Sequence, residues 1–80
     1  MEGKILIADD ETDIVVMLSQ FFQGKGYRIL TATNGVETLK QVENNPDIIL
    51  LDINMPGMDG LEVCQRIRDY VSCPILFLTA

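Results

Sequence analysis

The stretch Ile48-Ile49-Leu50-Leu51-Asp52 constrains this chain more than any other. Four apolar residues run without interruption into a carboxylate, and Pro56, Gly57 and Gly60 follow in the next eight positions. An unbroken apolar run of that length, closed by turn formers, is the pattern of a strand buried on both faces. Asp52 is then delivered to the carboxyl end of a central strand, the edge at which open α/β sheets bind ligands. Lys4 to Ala8 repeats the design and ends in Asp9-Asp10-Glu11. Two such strands in parallel would gather several carboxylates in one crevice.

The segments between them fit that plan. A helix is expected over Asp13 to Gln23, with Ile14, Leu18 and Phe21 on one stripe and Val15, Val16, Met17 and Phe22 widening it beyond one face. Gly24-Lys25-Gly26 supplies a stop. Tyr27 to Ala32 is rich in strand formers and suits an edge strand. Thr33-Asn34-Gly35 is a capping turn before a helix over Val36 to Glu43, marked by Val36, Leu39 and Val42, and Asn44-Asn45-Pro46-Asp47 breaks it. A third helix is predicted from Leu61 to Tyr70, with Leu61, Cys64 and Ile67 on one side, and a fourth buried strand over Ile75 to Leu78. The order βαβαβαβ, with right-handed crossovers, gives a parallel sheet with helices on both faces.

Composition removes several functional classes. Eighty residues make one domain at most, 1–80, and at 48% hydrophobic the chain is too apolar for disorder. A net charge of −6, with six scattered basic residues, argues against nucleic-acid binding by this segment. Cys64 and Cys73 form no metal or CxxC pattern, and there is no His. Both read as small hydrophobes. No apolar run approaches the ~20 residues that span a bilayer, and the start carries no leader pattern, so a cytoplasmic protein is expected.

Clustered carboxylates repel, and a hard divalent cation offsets that directly. Mg²⁺ held by Asp10 and Asp52 would leave an Asp52 oxygen free to attack a phosphoryl group, and Thr79 ends the fourth strand at the same edge. For any one of these acids alone, a cap or turn role is the commoner outcome. Asp13, Asp47, Asp59 and Asp69 keep that reading. The loop from Asp52 is not a calcium-binding EF-hand, because its twelfth position is Val63, and no phosphate-binding glycine loop or G-x-S-x-G occurs.

Ile7-Ala8-Asp9-Asp10-Glu11, Leu50 through Gly60, and Pro74-Ile75-Leu76-Phe77-Leu78-Thr79-Ala80 together closely resemble the receiver domain of bacterial two-component response regulators. The resemblance covers essentially the whole chain. It implies a flavodoxin-like doubly wound fold with Asp52 as phosphoacceptor, Asp10 as a direct Mg²⁺ ligand, Asp9 acting through water, and Asn54 giving its backbone carbonyl. It further implies Thr79 as the switch hydroxyl and Gly60 as the turn glycine. The partner would be a histidine kinase and the output transcriptional. The module itself would be no enzyme beyond its own phosphorylation and dephosphorylation. The family's fifth strand and last two helices, with the strand-five lysine, have no counterpart, so an incomplete sheet with an exposed fourth strand prone to self-association is expected. Two other readings stand beside this one. A Mg²⁺-dependent aspartyl phosphohydrolase would want an acid where Asn54 stands, and an inactive fragment would serve assembly alone.

Overall fold

The computed structural model describes residues 3–69 and 71–78. Strand β1 (Lys4–Ala8) leads into helix α1 (Thr12–Gly24), strand β2 (Arg28–Ala32), helix α2 (Gly35–Gln41) and a 3₁₀ turn (Val42–Asn44). Strand β3 (Ile48–Asp52), helix α3 (Gly60–Ile67) and strand β4 (Ile75–Leu78) follow. All four strands are parallel in the order β2-β1-β3-β4, so the sheet is the expected flavodoxin-like one, incomplete at four strands.

The pleat divides the core in two. On one face Ile5, Ile7 and Leu50 pack against Val15 of α1, with Leu18 and Phe22 beside them. On the other, Leu6, Ala8, Ile49 and Leu51 meet Val63, Cys64 and Ile67 of α3. Burying each such Leu or Ile contributes roughly 1.5–3 kcal/mol. β1 and β3 serve both faces, which is why their sequences carry no polar alternation.

The helical stripes differ in phase from expectation. α1 turns Val15, Leu18 and Phe22 to the sheet, while Phe21 is 58% exposed and lies under the Lys25 ammonium, 5.4 Å from its ring centre. Five consecutive apolar residues, Ile14 to Leu18, leave the phase to tertiary packing. In α3 it is Val63, not Leu61, that joins Cys64 and Ile67 in the core. In α2, Val36 faces solvent while Thr38 is fully buried, its hydroxyl donating to the Asn34 carbonyl.

Local chemistry sets the boundaries. Gly26, at φ 95°, closes α1 in the left-handed conformation, and the Tyr27 N–H bonds back to the Phe22 carbonyl. Tyr27 therefore belongs to the turn that closes α1, and β2 starts one residue later than its composition suggests. Asn34 accepts from Glu37 N–H, and the Glu37 carboxylate accepts from the Thr33 N–H and hydroxyl. Those two donors hold Glu37 below its ordinary pKa. Asp59 caps α3 by accepting from Glu62 N–H, and Asp47 accepts from Lys4 N–H. These two acids thus do the structural work expected of them. The expected last turn of the third helix includes Tyr70, which lies outside the described residues; α3 itself ends at Ile67.

Candidate functional site

The register of β1 against β3 builds the site. Ile7 pairs with Leu50 and Ala8 with Leu51, so both strands end together and their acids emerge at one edge. One oxygen each from Asp9, Asp10 and Asp52 lies within 4.8 Å of the others. Asp9 and Asp52 are buried; Asp10 reaches solvent.

Each buried acid is held by a backbone N–H two residues on. Asp9 Oδ1 accepts from Glu11 N–H at 2.9 Å, and Asp52 Oδ1 accepts from Asn54 N–H at 3.1 Å. The first bond locks the turn into α1, which otherwise begins without a side-chain cap. Thr12 is already the first residue of α1, one past the N-cap position that Glu11 holds. The second bond fixes the Asp52 carboxylate and leaves Oδ2 without a hydrogen-bond partner among the described residues.

The loop after Asp52 returns over its own start. The Gly60 N–H donates to the Ile53 carbonyl at 3.0 Å, and a Cβ at Gly60 would stand 2.2 Å from the Asp52 carbonyl oxygen. Only glycine permits that approach, so the expected turn glycine is a direct neighbour of Asp52. Asp9 and Asp52 also border a cleft of about 340 Å³ whose other walls include Ile14, Met17, Leu18, Phe77 and Leu78.

Among the described residues the one ion pair is Arg66–Glu62, on the surface of α3. No basic side chain therefore balances the three acids there. Two buried carboxylates beside a third, all hard oxygen donors, suit a hard divalent cation. Thr79 lies outside the described residues. A larger cleft, of about 500 Å³, opens at the opposite edge beside Asp47 and Cys73. Burial pushes the Cys73 thiol above its usual pKa, which is the direction of an inert cysteine.

The model of the "Response regulator receiver domain" family matches residues 5–80. The alkaline phosphatase synthesis transcriptional regulatory protein PhoP of Bacillus subtilis is 45% identical over all of this chain and 34% of its own length. The transcriptional regulatory protein ResD of the same organism is 48% identical over 99% of this chain and 33% of its own. The chain thus spans about a third of these curated relatives. Among solved structures, the N-terminal domain of a response regulator receiver protein from Methanoculleus marisnigri superposes with a TM-score of 0.92 at 39% identity, covering 98% of this chain and 67% of that one. TrrA from Thermotoga maritima, solved in complex with Mg(2+)-BeF, gives 0.89 at 45% identity, over 98% and 70%. With a family match over nearly its whole length and a sheet of the same architecture, this chain belongs to the response regulator receiver domain family of two-component signalling.

Proposed function

We propose that residues 1–80 are part of a phosphoacceptor module, in which Asp52 receives a phosphoryl group from a histidine kinase. The observation that carries this is the meeting of Asp9, Asp10 and Asp52 at one sheet edge, with Asp52 buried and held by Asn54 N–H. In the transfer an Asp52 oxygen forms the bond to phosphorus as the bond from phosphorus to the donor nitrogen breaks, and the donor keeps the electron pair. Asn54 N–H orients the attacking carboxylate, and Gly60 holds the chain close behind it.

Asp10 and Asp52, with the Asn54 backbone carbonyl, are the residues to hold Mg²⁺, and Asp9 would act through water. Bound there, the ion would neutralise the carboxylates and the charge of the incoming phosphoryl oxygens. Thr79, which follows Leu78 in the sequence, would be the hydroxyl that reports that group. The transcriptional relatives support a transcriptional output in the cytoplasm. The net charge of −6 leaves DNA contact to another part of such a protein. Among the described residues no helix is long and apolar enough to cross a membrane.

Mg²⁺ should raise the thermal midpoint of the chain. Binding to the folded state alone stabilises it by about 2.7 kcal/mol at a hundredfold excess over Kd. Asp10→Asn should remove that response. Calorimetry with Mg²⁺ against metal-free buffer checks both, and a midpoint indifferent to Mg²⁺ in the wild type would sink the reading.

The fourth strand supports self-association as well. Leu76 pairs with Leu50 and so shares the α1 face, yet it is 51% exposed, because α1 lies over β1 and β2. An uncharged edge of this kind pairs with other chains. Light scattering across a concentration series should give a mass above the monomer, and Leu76→Lys should return it to the monomer. A wild type that stays monomeric at every concentration would remove the idea.

A further inference from the structure

The start of α2 and the acceptor loop meet at Gly35 and Met58. A Cβ at Gly35 would lie 2.8 Å from both the Cβ and the carbonyl oxygen of Met58. Neither is the free end of a flexible side chain, so the loop would have to yield as backbone. Met58 belongs to the segment from Asp52 to Gly60 that carries Asn54, and the other end of that segment is pinned by Gly60 against the Asp52 carbonyl. The α2 terminus is the stiffer partner. Asn34 accepts from the Glu37 N–H there, and the Glu37 carboxylate accepts from the Thr33 N–H and hydroxyl. The buried Thr38 hydroxyl donates to the Asn34 carbonyl.

We propose that Gly35 is a positioning residue, whose missing side chain lets the acceptor loop seat on the α2 terminus and so sets where Asn54 and Asp52 stand. Reaching ordinary contact from 2.8 Å takes a shift beyond the roughly 0.5 Å that a preorganised site tolerates. The proposal rests on the reading of Asp52 and Asn54 as acceptor and metal ligand. It does not require that any substituent at Gly35 unfold the chain.

The test compares wild type, Gly35→Ala and Thr38→Val by amide NMR, first without metal and then in a Mg²⁺ titration. Gly35→Ala should move the amides from Asp52 to Asp59 in the metal-free chain and raise the Mg²⁺ half-saturation about tenfold. Thr38→Val, which removes an α2 hydrogen bond without adding bulk beside Met58, should lower the thermal midpoint and leave the Mg²⁺ half-saturation within about twofold. Equal half-saturation in Gly35→Ala and wild type overturns the proposal, as does an equal rise in both variants. If the wild type ignores Mg²⁺, the phosphoacceptor reading falls, and the metal-free shifts alone decide for Gly35. Shifts that reach Asn54 and Asp52 support it; shifts confined to Gly35 and Met58 overturn it. Should Gly35→Ala fail to fold, Met58→Gly loosens the same contact, and unmoved Asp52 and Asn54 amides then overturn the proposal.

Discussion

Gly60→Ala should cost the chain about 3 kcal/mol, a large share of the roughly 5–15 kcal/mol that holds a domain folded. The added methyl would stand 2.2 Å from the Asp52 carbonyl oxygen and 2.9 Å from both the Asp52 carbonyl carbon and Ile53 Cα. Those are backbone atoms at the end of the central strand, locked by the β1 and β4 pairings on either side. They cannot swing aside as a side chain does. At about 4–8 °C per kcal/mol for a domain of this size, the thermal midpoint should fall by roughly 12 °C or more. Gly24→Ala is the control: nothing lies within 4 Å of a Cβ there, and the substitution should be neutral or stabilising by up to about 1 kcal/mol. Calorimetry on both variants checks the contrast. A Gly60→Ala midpoint within a few degrees of wild type would mean that the loop gives way, and that the approach to Asp52 is not enforced.

Asp52→Asn should leave the fold intact and abolish capture of a phosphoryl mimic. The amide oxygen still accepts from Asn54 N–H, so the bond at 3.1 Å survives. The buried pair of acids, Asp9 and Asp52, becomes one acid and one amide, which relieves repulsion in the metal-free chain. The thermal midpoint should therefore hold or rise slightly. What disappears is the anionic oxygen that meets phosphorus. Fluorine NMR of beryllofluoride with Mg²⁺ should show a bound signal for the wild type and none for Asp52→Asn, a loss of at least about a hundredfold in affinity. An equally strong bound signal in the variant would move the acceptor role elsewhere.

The sheet was the most legible part of the chain. Ile48 to Leu51 and Ile5 to Ala8 are apolar on successive residues, which suits a strand covered on both faces, and the acids that follow them announced the site. β4 was readable from the same kind of run. Helical phase was less so. Ile14 to Leu18 offers an apolar residue at every position, and the choice of Val15 and Phe22 over Phe21 belongs to the sheet against which α1 packs. The third helix misled in a smaller way, because Leu61 is larger than Val63 yet lies around the helix from the face that Gly60, Val63, Cys64 and Ile67 bury. The site residues Asp9, Asp10 and Asp52 were readable from strand ends. The supports around them were not. The Glu11 N–H bond to Asp9 follows from a turn geometry that several sequences share. The seat of Met58 on Gly35 joins segments more than twenty residues apart, and no local pattern encodes it.

Forty-two positions separate Asp10 from Asp52, and no shorter piece of the chain contains both. Parallel strands are joined only through a long crossover segment, so the β1–β3 ladder must close a long loop, which makes such pairing intrinsically slow. A nascent chain that has not yet released β3 carries Asp9 and Asp10 as two ordinary solvated acids, with β2 already at hand to pair with β1. The acidic cluster comes into being when β3 docks on the far side of β1. A half-made chain therefore has no three-acid cluster with which to engage a metal ion or a phosphate donor.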